Sequence, residues 1–183
     1  MVYELKDNRT GEKAPRSTTV EITEKDGEVT FFFRAEDSRR FCAHEGYNAM
    51  HCEGDVCEVF IGTDPERKVY YEIEISPRGE IFLAKVTYGG ADSEGIPILQ
   101  LDYVDADKNF LTTAVTGTET GYTAEIRLRL EDIRTGDGEI FFNAYRIETD
   151  GGEPDKHLIA LRPTKRSRFH VPPYYGLLRE YLP

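Results

Sequence analysis

Apolar and polar residues alternate with a period of two along most of this chain, and no segment sustains a helical repeat of 3.6. The pattern is clearest in the stretch GDVCEVFIGTDPERKVYYEIEISPRGEIF, residues 54–82. There Val56, Glu58 and Phe60 share one face of a strand, and Cys57, Val59 and Ile61 share the other. After the loop TDPERK, Tyr71, Ile73 and Ile75 alternate with Tyr70, Glu72 and Glu74. Pro77-Arg78-Gly79 then turns the chain into GEIFLAKV, so three short strands follow one another with turn chemistry between them. Three mid-strand glutamates mark one face as charged, either concave or edge-lining, while the opposite face is apolar.

The same reading extends along the chain. Residues 1–17 form a polar arm, and residues 18–24 and 28–36 form a hairpin about Lys25-Asp26-Gly27. Phenylalanine on both faces of the second arm (Phe31 and Phe33 against Phe32) predicts a central strand. Residues 37–53 have neither period, which marks a long functional-looking loop. Residues 88–95 are a flexible connection. Further strands are predicted at 96–104, 110–115, 122–130, 140–148 and 157–161, with a helical turn at 131–133. The tail is rich in proline and aromatic residues and carries no helix signal. Short strands recurring every 8–12 residues predict an all-β fold, an antiparallel β-sandwich of immunoglobulin or jelly-roll type, as one domain over 1–183.

Composition narrows the function. The chain has 183 residues, 39% hydrophobic and 31% charged, sufficient for one packed core and too short for two comfortable domains. Its net charge of −11, from 34 acidic and 23 basic residues, excludes nucleic acid and anionic membrane as expected partners. No apolar run approaches the roughly 20 residues of a membrane span, and the first residues as written carry no secretory leader. The expectation is therefore a cytoplasmic monomer, or an extracellular one if a leader precedes the sequence as written. Three cysteines, Cys42, Cys52 and Cys57, are expected as reduced thiols. CAHEGYNAMHC matches no closed zinc spacing. Asp105 to Asn109 opens like a calcium loop, but it lacks the glycine at position six and the glutamate at position twelve and reads as a surface turn.

Against that background the ordered set of strand motifs resembles the carbohydrate-binding module family 9-like domains, which share a DOMON-like β-sandwich. GDVCEVFI with YYEIEISPRGEIF resembles the family's D-x-V-E-v-F-i … Y-y-x-f-E-v-n-x-x-G core. YTAEIRLRLEDI, GEIFFNAYRIE and HLIALRPTKRSRFHVPPYYGLL follow in the family's order, so the likeness runs from about Val29 to Leu178. It implies a non-catalytic domain holding a terminal saccharide in a slot between two tryptophans, with charged groups on the hydroxyls. It also implies structural calcium, with no ligand set to name. The chain has no tryptophan; Tyr122 and Leu161 stand where the motif places it.

A saccharide site needs an aromatic plate and polar groups able to bond hydroxyls. The candidate plates are Tyr47, Tyr70, Tyr174 and Tyr175, and the candidate polar groups are Arg34, Glu58, Glu72, Asn143, Arg146 and His170. Each has a structural counterpart: Asn143 and Arg146 could satisfy neighbouring loops, His170 could tie down the tail, and Glu72 and Glu74 could sit in ion pairs. Two further readings stay open: a fold relative without a sugar slot serving as an interaction domain, and a glycosidase built on two of the strand carboxylates.

Overall fold

The computed structural model describes residues 1–150, 152 and 156–182. They form two antiparallel sheets packed face to face. The smaller, in the order β1-β3-β4-β10-β9, consists of Val2–Glu4, Thr18–Lys25, Glu28–Glu36, Gly121–Arg129 and Thr112–Gly117. The larger runs β2-β12-β11-β5-β6-β7-β8: Lys6–Asp7, His157–Ala160, Phe141–Glu148, Val56–Gly62, Val69–Ile75, Ile81–Ala91 and Pro97–Tyr103. A short β13, Gly176–Leu177, also pairs with β11. No helix among the described residues is long and apolar enough to cross a membrane.

Side-chain alternation builds the main core between the sheets. Val20, Ile22, Phe31 and Phe33 come from one sheet, and Cys57, Val59, Ile61, Ile73, Ile75, Phe142 and Ala144 from the other. The β3–β4 hairpin closes on Asp26 and Gly27, both at positive φ (55° and 80°), a type I′ turn whose twist matches the strands. β4 is central in its sheet, as its two apolar faces predict. Residues 131–133 form a turn rather than a helix, and the helical elements of the tail are single 3-10 turns.

Two features differ from the sequence expectation. The N-terminal arm is part of both sheets: β1 pairs with β3, β2 pairs with β12, and Leu5 between them is buried. The charged face of the larger sheet is covered as well. Val56, Phe60, Tyr70, Phe141 and Tyr145 form a second apolar cluster there with Phe169 and Tyr175 of the tail. Every residue of β5 and β11 is therefore buried, and the strand glutamates lie under cover instead of on an open surface.

Asn8 fastens this cover. Its Nδ2 donates to Thr164 Oγ1 (2.9 Å) and to the carbonyls of Arg166 (2.8 Å) and Arg168 (3.2 Å), while its Oδ1 accepts from the Thr164 amide (2.9 Å). A buried amide with all these bonds made holds the 164–168 turn against the sheet.

Candidate functional site

Where the tail leaves the outer face of the larger sheet incompletely covered, a cleft of about 790 Å³ opens. Its floor carries Glu58, Phe60, Glu72 and Glu74 from β5 and β6. Its walls come from the N-terminal arm (Asp7, Arg9), from Cys52, from residues 156–158 ahead of and within β12, and from residues 167–170 of the tail.

Strand register brings the carboxylates together. Glu58 lies directly across from Glu74, and Phe60 across from Glu72. One oxygen from each of the three glutamates lies within 4.8 Å of the others. Glu58 and Glu74 are 2% exposed, and Glu58 Oε1 and Glu74 Oε2 have no hydrogen-bond partner. Burial, reinforced by the neighbouring carboxylates, holds Glu58 and Glu72 well above the ordinary carboxylate range. Burial likewise pushes Glu74 up to about 8, opposed by the Cys52 amide and then by Lys156.

His170 forms the aromatic side of the cleft. Its ring stacks on Phe60 at 4.9 Å and 26°, and its side chain is 18% exposed. Nδ1 meets the Tyr70 hydroxyl at 2.8 Å, and Nε2 lies 3.6 Å from Glu72 Oε1. Burial lowers His170 to about 4, so at neutral pH it is a neutral ring with one nitrogen facing Tyr70 and the other facing Glu72. Lys156 Nζ donates to the Cys52 carbonyl at 2.6 Å, at the cleft mouth.

Of the residues singled out from sequence, Glu58, Glu72 and His170 line the cleft, and Tyr70 supports it from beneath. The others lie elsewhere. Arg34 alternates with core Phe33 and Ala35 on the smaller sheet and so points to solvent, where it pairs with Glu21 at 3.3 Å and covers Phe32. Arg146 points between the sheets. Its Nη1 donates to Thr18 Oγ1 (3.0 Å) and the Glu36 carbonyl (2.8 Å), and Nη2 lies 3.2 Å from Asp37 Oδ2. Asn143 shares the cleft-side face but is consumed beneath the tail, donating to the Tyr145 hydroxyl and the Arg162 carbonyl, both at 2.9 Å. Tyr47 packs against the main core, and Tyr174 lies outside the cleft with its carbonyl accepting from Arg162. Tyr175 belongs to the covering tail and is buried against Phe141. Tyr122, at a family tryptophan position, is a core residue with its hydroxyl 3.5 Å from Cys57 Sγ.

The loop thiols and imidazoles do not converge: His44 Nε2 meets Glu53, and His51 Nε2 meets the Gly46 carbonyl. Asp105 pairs with Lys108 at 2.8 Å in a surface turn. Arg9, Lys156 and Arg168 escape a reading of strand motifs because they lie outside the strands. The one available signal is the run TKRSRFH, a local excess of basic residues in an acidic chain.

No protein-family model matches the chain by sequence, and no curated protein does either. Solved structures do match by shape. A candidate carbohydrate-binding protein from Bacteroides uniformis ATCC 8492 superposes with a TM-score of 0.72 at 13% identity, covering 96% of this chain and 84% of that one. A carbohydrate-binding module family 9 from Caldicellulosiruptor kristjanssonii in complex with glucose gives a TM-score of 0.58 at 15% identity, covering 95% and 82%. The cellotriose complex gives 0.54 at 15%, covering 88% and 74%. The chain therefore has the single β-sandwich fold of family 9 carbohydrate-binding modules.

Proposed function

We propose that this domain binds a carbohydrate, without turning it over, in the cleft between the larger sheet and the tail. The observation that carries the reading is the pairing of His170, stacked on Phe60, with the carboxyl groups of Glu58, Glu72 and Glu74 in one cleft of about 790 Å³. A sugar ring needs an apolar plate for its C–H face and polar groups in fixed positions for its hydroxyls. His170 with its Phe60 backing supplies the plate. The carboxyl groups supply hydrogen-bond donors and acceptors, and Arg9, Lys156 and Arg168 supply a charged rim. The shared fold supports this reading, because two of the matching structures are sugar complexes. The partner expected is thus a saccharide, bound by a monomer, with no nucleic acid or membrane involved.

Hydrolysis is disfavoured by the same geometry. A retaining glycosidase needs one ionised carboxylate nucleophile beside one acid. Here burial raises all three carboxyl groups when nothing is bound to them, so none of them stands as a free ionised nucleophile.

Calorimetric titration with a panel of mono- and oligosaccharides tests the proposal. Binding to one sugar class that falls at least tenfold in His170→Ala and is unchanged in Arg34→Ala would support it. Affinity insensitive to His170→Ala, or release of reducing sugar over time, would refute it.

A further inference from the structure

We infer that the floor of the cleft holds a divalent cation of the oxygen-seeking kind, calcium or manganese, on the carboxylates of Glu58, Glu72 and Glu74. The inference concerns the ion itself and does not depend on saccharide binding.

Geometry comes first. One oxygen from each residue lies within 4.8 Å of the other two. A calcium ion sits roughly 2.4 Å from each of its oxygens, so it can join ligands up to about 4.8 Å apart. All three residues stand on paired, fully hydrogen-bonded strands, which keeps the set in place without a long loop.

The second observation is independent of the clustering. Glu58 Oε1 and Glu74 Oε2 are buried and make no hydrogen bond, although both line the cleft. Buried oxygens are normally partnered, and each one left alone costs stability. No arginine or lysine among the described residues forms an ion pair with any of the three. Lys156 donates instead to a carbonyl, and the histidine beside Glu72 stands 3.6 Å away, beyond hydrogen-bond reach. Like carboxylates directly opposite each other, as Glu58 and Glu74 are, also destabilise a sheet. A cation answers all three deficits together.

The donor set selects the class of ion. Three carboxylates and no thiolate suit hard cations rather than zinc or copper. Three protein ligands leave coordination positions open toward the cleft.

The test uses the intact protein, stripped with EDTA and freed of sugar. It is titrated with Mn²⁺ while free Mn²⁺ is followed by electron paramagnetic resonance. The result expected is a single bound ion per chain, displaced by Ca²⁺, with a rise in melting temperature on loading. Glu74→Gln and Glu58→Gln should each weaken binding at least tenfold while melting cooperatively in EDTA at or above the wild-type temperature. If either variant does not fold, Glu72→Gln serves in its place. No bound Mn²⁺ at millimolar concentration, with no response to Ca²⁺, would overturn the inference and leave three neutral acids bonded to one another. Binding unchanged in all the glutamine variants would overturn it equally, by placing the ion elsewhere. Sugar binding that survives the loss of the ion leaves the saccharide reading standing alone, and ion binding without sugar binding does the reverse.

Discussion

Replacing Arg146 with alanine should destabilise the domain rather than remove a ligand contact. The guanidinium is fully buried between the sheets, and Asp37 beside it is 3% exposed. Asp37 Oδ1 accepts from the Arg39 and Arg40 amides at 2.9 and 2.6 Å, while Oδ2 faces Arg146 at 3.2 Å. Truncation leaves the buried Asp37 Oδ2 without its cation and removes the donor to Thr18 Oγ1 and the Glu36 carbonyl. Breaking a buried pair from one side costs about 3–5 kcal/mol, a large share of the roughly 5–15 kcal/mol that holds a domain together. At about 2–4 °C per kcal/mol for a chain of this size, the melting temperature should fall by roughly 6–20 °C. Urea denaturation measures the loss directly. The double replacement Arg146→Met with Asp37→Asn removes both charges and should recover most of it. A loss under about 1 kcal/mol, or lost saccharide binding at unchanged stability, would refute the core assignment and return Arg146 to the list of ligand contacts.

Other consequences can be checked alongside. Asn8→Ala removes its bonds to Thr164, Arg166 and Arg168, leaves the buried Thr164 amide without a partner, and should cost about 1–3 kcal/mol while raising amide exchange in the 164–168 turn, measured by hydrogen–deuterium exchange. Gly121→Ala would place a Cβ 1.9 Å from the Ala35 carbonyl oxygen and 2.8 Å from the Asp37 nitrogen, both backbone atoms, so the variant should express poorly and melt well below the wild type. In EDTA the protein should be most stable in mild acid. Burial raises the folded pKa of Glu74 above its ordinary value, so the stability linked to its proton is fully present below about 4.5 and is lost as pH rises through about 8. That loss amounts to a few kcal/mol and is read by denaturation at pH 6 and pH 9; a flat profile would contradict the buried acid cluster.

The strands were legible because the physics behind them is local. Alternation and the Asp26-Gly27 turn act within a few residues, and the β3–β4 hairpin and the central place of β4 follow from them. Side-chain parity also carried more than a motif search extracts from it. Arg146 shares parity with Phe142 and Ala144 of the inner core, whereas Asn143 shares it with Phe141 and Tyr145 of the outer cluster. What lies over a face is not local. The glutamates of β5 and β6 read as an open charged surface because nothing in their own strands announces that residues 164–175 fold across them. That cover depends on Asn8, more than 150 positions away in sequence, so the cleft walls emerge only from the assembled chain.

The central claim is where the ligand sits, and amide chemical-shift mapping of the isotope-labelled protein during titration with glucose and cello-oligosaccharides tests it most directly. The account predicts that shifts cluster at 7–9, 52, 58–60, 72–74, 156–158 and 167–170, with none at Arg34, Tyr47 or Tyr174. Perturbations gathered anywhere else on the sandwich, or none with any saccharide tried, would contradict it.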